Sequence, residues 1–230
     1  MKLYDFHVHT RGISRCSRLS PEQLCRAIKK DELDGFVLTN HYAPYHVTLP
    51  FPEWLKKYEQ EYFYTKEVAK SMGLHTFFGI EVTISRQDFL IYGLETAVLF
   101  ESDRPLFEYT LAELSDFVHQ RGGLLIHAHP FRANGTPADP ALLDGYEVNC
   151  HPLYGENFSK QTHEVANRNG LLLTCGSDFH GDIYKAHCGV YLPDDALTDG
   201  DLCACLKREQ PRLLEHVIDK ERAREPVCFE

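Results

Sequence analysis

The chain has 230 residues, of which 43% are hydrophobic, and a formal net charge of −10. A chain of this length buries about three quarters of the surface that it exposes when unfolded, so we expect a single domain over residues 1–230. The acidic balance disfavours a protein that binds long nucleic acids, and no apolar run reaches the 18 or so residues that span a membrane.

The N-terminal segment KLYDFHVH alternates between polar and apolar residues and predicts a strand. It lacks the apolar stretch of a signal peptide, and the eight cysteines are scattered without a C-x-x-C pair, so we expect a cytoplasmic protein with reduced thiols. A capping box of Ser20 and Gln23 predicts a helix that runs to about Lys30. The apolar run FVL then predicts a buried strand that leads into His41.

Helices and strands continue to alternate along the chain. A helix from about Pro52 to Met72 precedes the strands HTFFGIEVT and DFLIYGL. A second capping box, Thr110 with Glu113, starts a helix that leads to the strand LLIHAHP and then to GYEVNC. The helical segment NFSKQTHEVANRNG precedes a seventh strand, LLLTCGSDFH.

Seven apolar strands that alternate with helices indicate an α/β protein with a parallel sheet. Polar side chains fall at or just past the C-terminal ends of these strands, namely His7, His9, His41, Glu81, His129, Asp178 and His180. In a barrel those strand ends meet at one rim, whereas the outer strands of an open sheet lie too far apart to share a site. We therefore expect a distorted (β/α)7 barrel, similar to a TIM barrel, with the site at the C-terminal ends of the strands.

The same short spacing occurs twice among these residues, in the pairs His7 with His9 and Asp178 with His180. Two residues that are two apart in an extended segment point to the same side and can chelate one ion. A carboxylate paired with an imidazole suits zinc, manganese or iron. His129 adds a further imidazole, and Glu81 adds a carboxylate that can bridge two ions.

The motifs DFHVHT, LTNH, GIEVT, AHPFR and GSDFH occur in this order over nearly the whole chain. They resemble the PHP (polymerase and histidinol phosphatase) superfamily of metal-dependent phosphoesterases. The resemblance implies a distorted seven-stranded β/α barrel that holds two or three divalent ions, with zinc, manganese or iron as candidates. The implied ligands are His7, His9, Glu81 and Asp178 for the first ion, His41 and His180 for the second, and Glu81 and His129 for the third.

Three positions depart from the pattern of the superfamily. Residues 14–17, with the sequence SRCS, stand where many members carry an aspartate or histidine, so the second ion lacks one protein ligand. Asp88 stands where many members have a histidine, and we expect its carboxylate to serve as a metal ligand. Asn40 replaces the aspartate that commonly precedes His41, where it would tune that histidine from outside the ligand set.

Two arginines are candidates for binding phosphate. Arg132 in AHPFR and Arg15 in the first loop have the planar fork that holds a phosphate by two hydrogen bonds. The expected reaction is hydrolysis of a small phosphate monoester, similar to that of a histidinol phosphatase, by attack of a metal-held hydroxide. Three residues near the end of the sixth strand, Glu147, Asn149 and His151, are candidates for supporting or substrate contacts.

Three alternatives stay open at this point. The first is a phosphodiesterase or nuclease acting on nucleotides or short oligonucleotides, because the same kind of metal site hydrolyses diesters. The second is a non-catalytic metal-binding protein of the same fold, because the loop at 14–17 lacks a ligand. The third is an amidohydrolase-like carbon–nitrogen hydrolase, which fits the Asp178-His180 pair and Glu81 less well.

Overall fold

Strands and helices alternate through most of the computed structural model, which describes residues 1–132, 135–151, 156–181, 187–208 and 210–215. The strands are β1 Lys2–Val8, β2 Gly35–Leu38, β3 His41–Tyr42, β4 His75–Ile84, β5 Gln87–Tyr92, β6 Leu124–His127, β7 Gly145–Asn149, β8 Leu172–Gly176, β9 Gly189–Leu192 and β10 Arg212–Leu214. The helices are α1 Pro21–Lys30, α2 Phe51–Ser71, α3 Leu111–His119, α4 Glu156–Asn169 and α5 Asp199–Arg208. None of the described helices combines the length and the hydropathy needed to cross a bilayer.

The strands form one mixed sheet in the order β10-β9-β1-β2-β4-β5-β6-β7-β8, with β3 paired to β4. The neighbours β1, β2 and β4 run parallel, and so do β6, β7 and β8. In contrast, β5 lies antiparallel between β4 and β6, β9 lies antiparallel to β1, and β10 lies antiparallel to β9. The strand count and order therefore differ from the expected parallel (β/α)7 barrel.

The reversal at β5 arises from a tight turn of two residues. Ser85 and Arg86 join β4 to β5 with φ angles of 51° and 69°. Two successive residues with positive φ form the kind of turn that matches the twist of a hairpin, and asparagine or glycine normally signals it. Because β5 runs backwards, its first residues lie at the rim where the parallel strands end. Asp88 is therefore placed at the rim.

The segment that follows β8 pairs with the end of β1 and nearly closes the sheet into a barrel. Val8 and Phe179 form a parallel bridge, and the His9 N–H donates to the Phe179 carbonyl at 3.3 Å. Behind this bridge, the Asp5 carboxylate accepts a hydrogen bond from the Ser177 N–H at 3.0 Å. These contacts form a seam that joins the start of the sheet to its last parallel strand.

Helix α2 covers the barrel beside the rim through a stripe of aromatic residues. Trp54, Tyr58 and Tyr62 are buried, and the rings of both tyrosines pack edge-on against Phe78 of β4. The Tyr58 hydroxyl donates to the backbone carbonyl of Asn40. This contact fixes the chain between β2 and β3, just before His41.

The two capping boxes expected from the sequence are present, at Ser20 with Gln23 and at Thr110 with Glu113. We expect Thr110→Ala to lower the free energy of unfolding by about 1 kcal/mol, because the start of α3 loses its side-chain acceptor. Urea denaturation followed by circular dichroism measures this loss. Thr110→Ser keeps the hydroxyl and is the control, and an equal loss in both variants would contradict the capping role.

Candidate metal centre

The polar side chains expected at the strand ends converge at one rim of the barrel. Six of them are at most 8% exposed, namely His7, His9, His41, Glu81, His129 and Asp178. The seventh, His180, has a side chain that is 16% exposed. Ionisable groups are buried in such numbers only when they pair with one another or hold a cation.

Glu81 lies at the centre of the group. The pairing of β3 with β4 places it opposite His41, whose Nδ1 is 2.5 Å from Glu81 Oε2. His7 Nε2 and His129 Nε2 each lie 3.3 Å from Glu81 Oε1, and His9 Nε2 lies 3.5 Å from Oε2. One carboxylate thus reaches four imidazoles, as a ligand that bridges metal ions does.

Asp178 and His180 approach the same histidines from across the seam. Asp178 Oδ1 is 3.1 Å from His9 Nε2 and 3.4 Å from His7 Nε2. The His180 Nδ1–H donates to the Asp178 carbonyl at 2.8 Å, and a carbonyl can only accept. A neutral His180 ring therefore turns its Nε2 lone pair toward His41 Nε2, at 3.3 Å.

Glu147, on β7, orients His7 from behind. Its Oε1 accepts a hydrogen bond from His7 Nδ1 at 2.7 Å, and its Oε2 accepts the His129 N–H at 3.0 Å. Gly176 leaves room for this pair, because a Cβ there would lie 2.4 Å from His7 Cβ and 2.8 Å from Glu147 Oε1. A carboxylate behind a histidine fixes the ring so that the other nitrogen faces a metal ion. The supporting role considered for Glu147 in the sequence matches this geometry.

Ser14 plays the same part for His9. Its Oγ lies 3.1 Å from His9 Nδ1, accepts the His41 N–H at 2.9 Å and donates to Asn40 Oδ1 at 2.9 Å. Asn40 also accepts the Thr10 N–H at 2.8 Å, which ties down the start of the loop. His9 Nε2 is thereby left to face the cluster. Asn40 is thus linked to His41 through Ser14, and its role in tuning that histidine stays a prediction.

The cluster balances its charges internally. Burial alone would raise the pKa of the Glu81 and Asp178 carboxyls, but imidazolium charges, above all at His41 and His7 respectively, lower both well below the usual range. Burial and neighbouring histidine charges lower the pKa of His9, so this ring is neutral. Burial also disfavours charge on His7, yet the surrounding carboxylates raise its pKa well above the usual value. A bound divalent ion would displace such protons from the ligands.

The donor atoms fit divalent metal ions. They form three overlapping sets whose atoms lie within 4.8 Å of one another: His7, Glu81 and His129; His7, His9 and Asp178; His9, His41 and His180. Among the described residues, His7 Nε2 is buried without a hydrogen-bond partner, although it faces Glu81 and Asp178. Nitrogen and carboxylate donors in such sets suit zinc, manganese or iron. How the ligands divide among separate ions stays a prediction.

Two of the ligand candidates have strained backbone. His129 follows β6 with a φ of 32°, and Asp178 follows β8 with a φ of 53°. For a residue other than glycine, this left-handed conformation costs about 1–3 kcal/mol, and such strain concentrates at functional sites. Here the turn brings both side chains back over the rim to Glu81 and His9.

The cluster opens into a cavity of about 850 Å³ whose wall includes Arg15, Arg86 and Arg132. Arg132 Nη1 lies 3.8 Å from Asp178 Oδ2 at the floor of the cavity. Arg15 donates to the Tyr45 carbonyl at 3.3 Å. Both arginines selected from the sequence therefore line the cavity. Arg86, in the turn between β4 and β5, belongs to no motif, so its position at the cavity could not be predicted from the sequence.

No family model matches the chain, and no curated protein matches its sequence. Its fold is shared with solved structures. PsfC from Pseudomonas syringae is 20% identical over 97% of this chain and 93% of its own, with a TM-score of 0.68. A candidate metal-dependent phosphoesterase from Bifidobacterium adolescentis is 18% identical over 98% and 95% of the two chains, with a TM-score of 0.53. A lesion-specific endonuclease from Pyrococcus furiosus is 13% identical over 92% of this chain and 57% of its own, with a TM-score of 0.56. At these identities the similarities show a shared fold.

Asp88 lies at the cavity wall beside the three ligand sets but in none of them. Its Oδ1 accepts a hydrogen bond from the Thr83 hydroxyl at 2.7 Å, and its Oδ2 is 3.9 Å from His129 Nε2. Burial and the charge of Glu81 raise its pKa. The role of Asp88 as a metal ligand stays a prediction.

His127 and His151 also line the cavity. His127 Nδ1 accepts the Ala138 N–H at 3.1 Å, and its ring stacks on Phe89 with centroids 5.0 Å apart. Burial and the charge of His129 lower the pKa of His127 to about 3, so it is a neutral part of the wall. The backbone of His151 is held by Asn149 Oδ1 at 2.9 Å.

Sequence reasoning missed two residues, Cys16 and His46, whose ligand atoms lie within 4.8 Å of His41. Cys16 lies in the loop at 14–17, where the resemblance to the superfamily implied that a ligand was missing. His46 is the last residue of the short helical turn Pro44–His46 after β3. Desolvation would raise the pKa of the Cys16 thiol, but the nearby imidazoles of His180, His41 and His46 lower it to about 4. A second histidine five residues after His41 was the available signal.

Proposed function

We propose that this protein is a metal-dependent phosphoesterase that hydrolyses a small phosphate monoester. The observation that carries the proposal is a buried histidine and carboxylate cluster that opens into a cavity walled by Arg15, Arg86 and Arg132. The cluster suits divalent cations, and the arginines suit an anion. A phosphate group is the common ligand that uses both.

The arginines stand out against the charge of the whole chain. The protein carries a formal charge of −10, so guanidinium groups gathered at one opening create a local site for an anion. Arg132 lies beside the cluster, with its Nη1 3.8 Å from Asp178 Oδ2, and is placed to bind the nonbridging oxygens of a phosphate. Arg15 and Arg86 lie on other parts of the wall and would bind a second part of an anionic substrate.

His7, His9, Glu81 and Asp178 would hold one divalent ion, His41 and His180 a second, and Glu81 with His129 a third where it binds. When bound, these ions supply Lewis acidity and lower the pKa of a water molecule toward neutrality. The protein keeps the ligands in place through Glu147 and Ser14. Zinc, manganese and iron are the candidate metals.

The size of the cavity supports a small substrate. A volume of about 850 Å³ is that of a pocket for a small molecule. The same volume admits a nucleotide, so hydrolysis of nucleotides or short oligonucleotides is the rival outcome of the test.

The test is a substrate panel with protein reconstituted separately with zinc, manganese and iron. The panel contains histidinol phosphate, other small monoesters, nucleoside monophosphates, a simple diester and short oligonucleotides. We expect the highest kcat/KM on a small monoester. Cleavage of diesters alone would refute the monoesterase proposal, and no turnover with metal-loaded protein would favour a non-catalytic metal-binding protein.

We expect Arg132→Ala to lower kcat/KM by about 10- to 150-fold, because a hydrogen bond to a charged group contributes about 1.5–3 kcal/mol. Steady-state kinetics on the best substrate of the panel measure the effect. Arg26→Ala, on the exposed face of α1, is the control and should retain wild-type kinetics. If the two variants behave alike, Arg132 does not bind the phosphate.

A further inference from the structure

We propose that Cys16 is a thiolate ligand that joins His41 and His180 in holding the second metal ion, with His46 positioning the sulfur. The proposal rests on the metal centre of the proposed function and specifies its chemistry. It assigns a donor to the loop at 14–17, where the resemblance to the superfamily implied that one was missing.

The first argument is the position of the thiol. Cys16 lies at the cavity wall with His41, His46 and His180, and its sulfur is within 4.8 Å of the ligand atoms of His41 and His46. His41 Nε2 and His180 Nε2 face each other at 3.3 Å. The thiol therefore lies next to His41, whose Nε2 faces the Nε2 of His180 in the same cavity.

The second argument is an unpartnered nitrogen next to the thiol. His46 is 3% exposed, and its Nδ1 accepts the Arg15 N–H at 3.0 Å. In a neutral ring the proton then sits on Nε2, which is buried without a hydrogen-bond partner among the described residues. The His46 ring stacks on His41 with centroids 4.6 Å apart. An N–H in this place suits a thiolate, which can accept a hydrogen bond from it while the sulfur binds the metal ion.

The loop that carries Cys16 is fixed by its backbone. The Ser14 N–H donates to the Thr10 carbonyl at 3.0 Å, and the Ser17 N–H donates to the Ser14 carbonyl at 2.9 Å. The Arg18 N–H donates to the His180 carbonyl at 2.8 Å, which ties the loop to the far side of the seam. The backbone on either side of Cys16 is therefore held in a defined position relative to His180.

This donor set predicts which metal binds. One thiolate and two imidazoles leave a fourth position open, as catalytic zinc sites do. A soft sulfur ligand favours zinc, iron or cobalt over manganese and magnesium. The carboxylate-rich set around Glu81 and Asp178 has harder ligands, so the two ions of this centre differ in preference.

Cobalt(II) tests the proposal because a thiolate bound to it gives a charge-transfer band in the near ultraviolet, which nitrogen and oxygen ligands do not give. The metal-free protein is titrated with cobalt, and bound metal is measured in parallel by elemental analysis. We expect the band in the wild type and its loss in Cys16→Ser. Cys205→Ser, on α5, and Cys150→Ser, in the buried set with Cys175 and Cys188, are the controls and should keep the band.

Each other outcome overturns the proposal in a recognisable way. A band that persists in Cys16→Ser, or disappears in Cys150→Ser, places the thiolate elsewhere. Cobalt bound without any band refutes the role of Cys16 but leaves the proposed function standing. Absence of bound metal refutes both.

Alkylation gives a second readout that does not depend on activity. Zinc is expected to slow the reaction of iodoacetamide with Cys16, which is exposed, and to leave the partly exposed Cys205 unchanged. Peptide mass spectrometry distinguishes the two sites within one sample. Equal rates at Cys16 with and without bound zinc would contradict the assignment.

Discussion

His9→Ala is expected to lower kcat by about a thousandfold or more, because a catalytic metal ion contributes several kcal/mol and each 1.4 kcal/mol is a factor of ten. His9 belongs to two of the three ligand sets, one with His7 and Asp178 and one with His41 and His180. We therefore expect its loss to weaken the binding of both proposed ions. Elemental analysis after reconstitution, paired with the kinetics of the best substrate, measures both effects.

His163→Ala is the matched control for His9→Ala. His163 is a half-exposed histidine of α4 that pairs with Glu215 at 2.6 Å, away from the cavity. This variant should retain metal and turnover. Wild-type activity in His9→Ala, or fewer than about one metal ion per chain in the reconstituted wild type, would refute the metal centre.

Glu147→Gln is expected to weaken metal binding by about 10- to 100-fold, because residues behind metal-binding histidines contribute this much to affinity. Glutamine keeps the size of the side chain but loses the charge that fixes His7 and the second acceptor that holds the His129 N–H. Competition with a chelator of known affinity measures the change. Circular dichroism establishes whether the variant is folded.

The control for Glu147→Gln has the same chemistry at the surface. Glu215→Gln removes a carboxylate that also accepts a hydrogen bond from a histidine, at 2.6 Å from His163. It should leave metal affinity unchanged. If both variants lose affinity equally, the effect of Glu147 is not specific to His7.

The location of the candidate site was predictable because strand geometry is local. Residues two apart in a strand share a side, so His7 with His9 could be recognised as a pair without knowledge of the fold. The apolar runs before His41 and Asp178 likewise identified strand ends. Parallel strands direct those ends to one rim, and the structure brings the selected residues together there.

The direction of β5 could not be read from the sequence. The turn at Ser85 and Arg86 has positive φ angles at two residues that rarely adopt them, and its composition does not signal a hairpin. The short strands β9 and β10 were missed because four or three residues carry too little periodicity.

The contacts that surround the candidate metal ligands could not be predicted from the sequence either. Ser14 and Cys16 lie in an irregular loop, where no period links a residue to its partners. Their contacts with His9, His41 and His46 depend on how the loop folds across the rim. Glu147 was noticed, but its pairing with His7 needs two strands that are 140 residues apart.

The seam between β1 and the segment after β8 affects how the protein is made. His7 and His9 leave the ribosome early, whereas Asp178 and His180 follow only after most of the chain has been synthesised. Until then the nascent chain offers isolated imidazoles, and closing so long a loop is slow and costs entropy. A metal ion bound across the seam would then act as a cross-link between distant parts of the polypeptide. We therefore expect newly made protein to acquire the proposed metal late, and chelation to open the barrel first where Val8 meets Phe179.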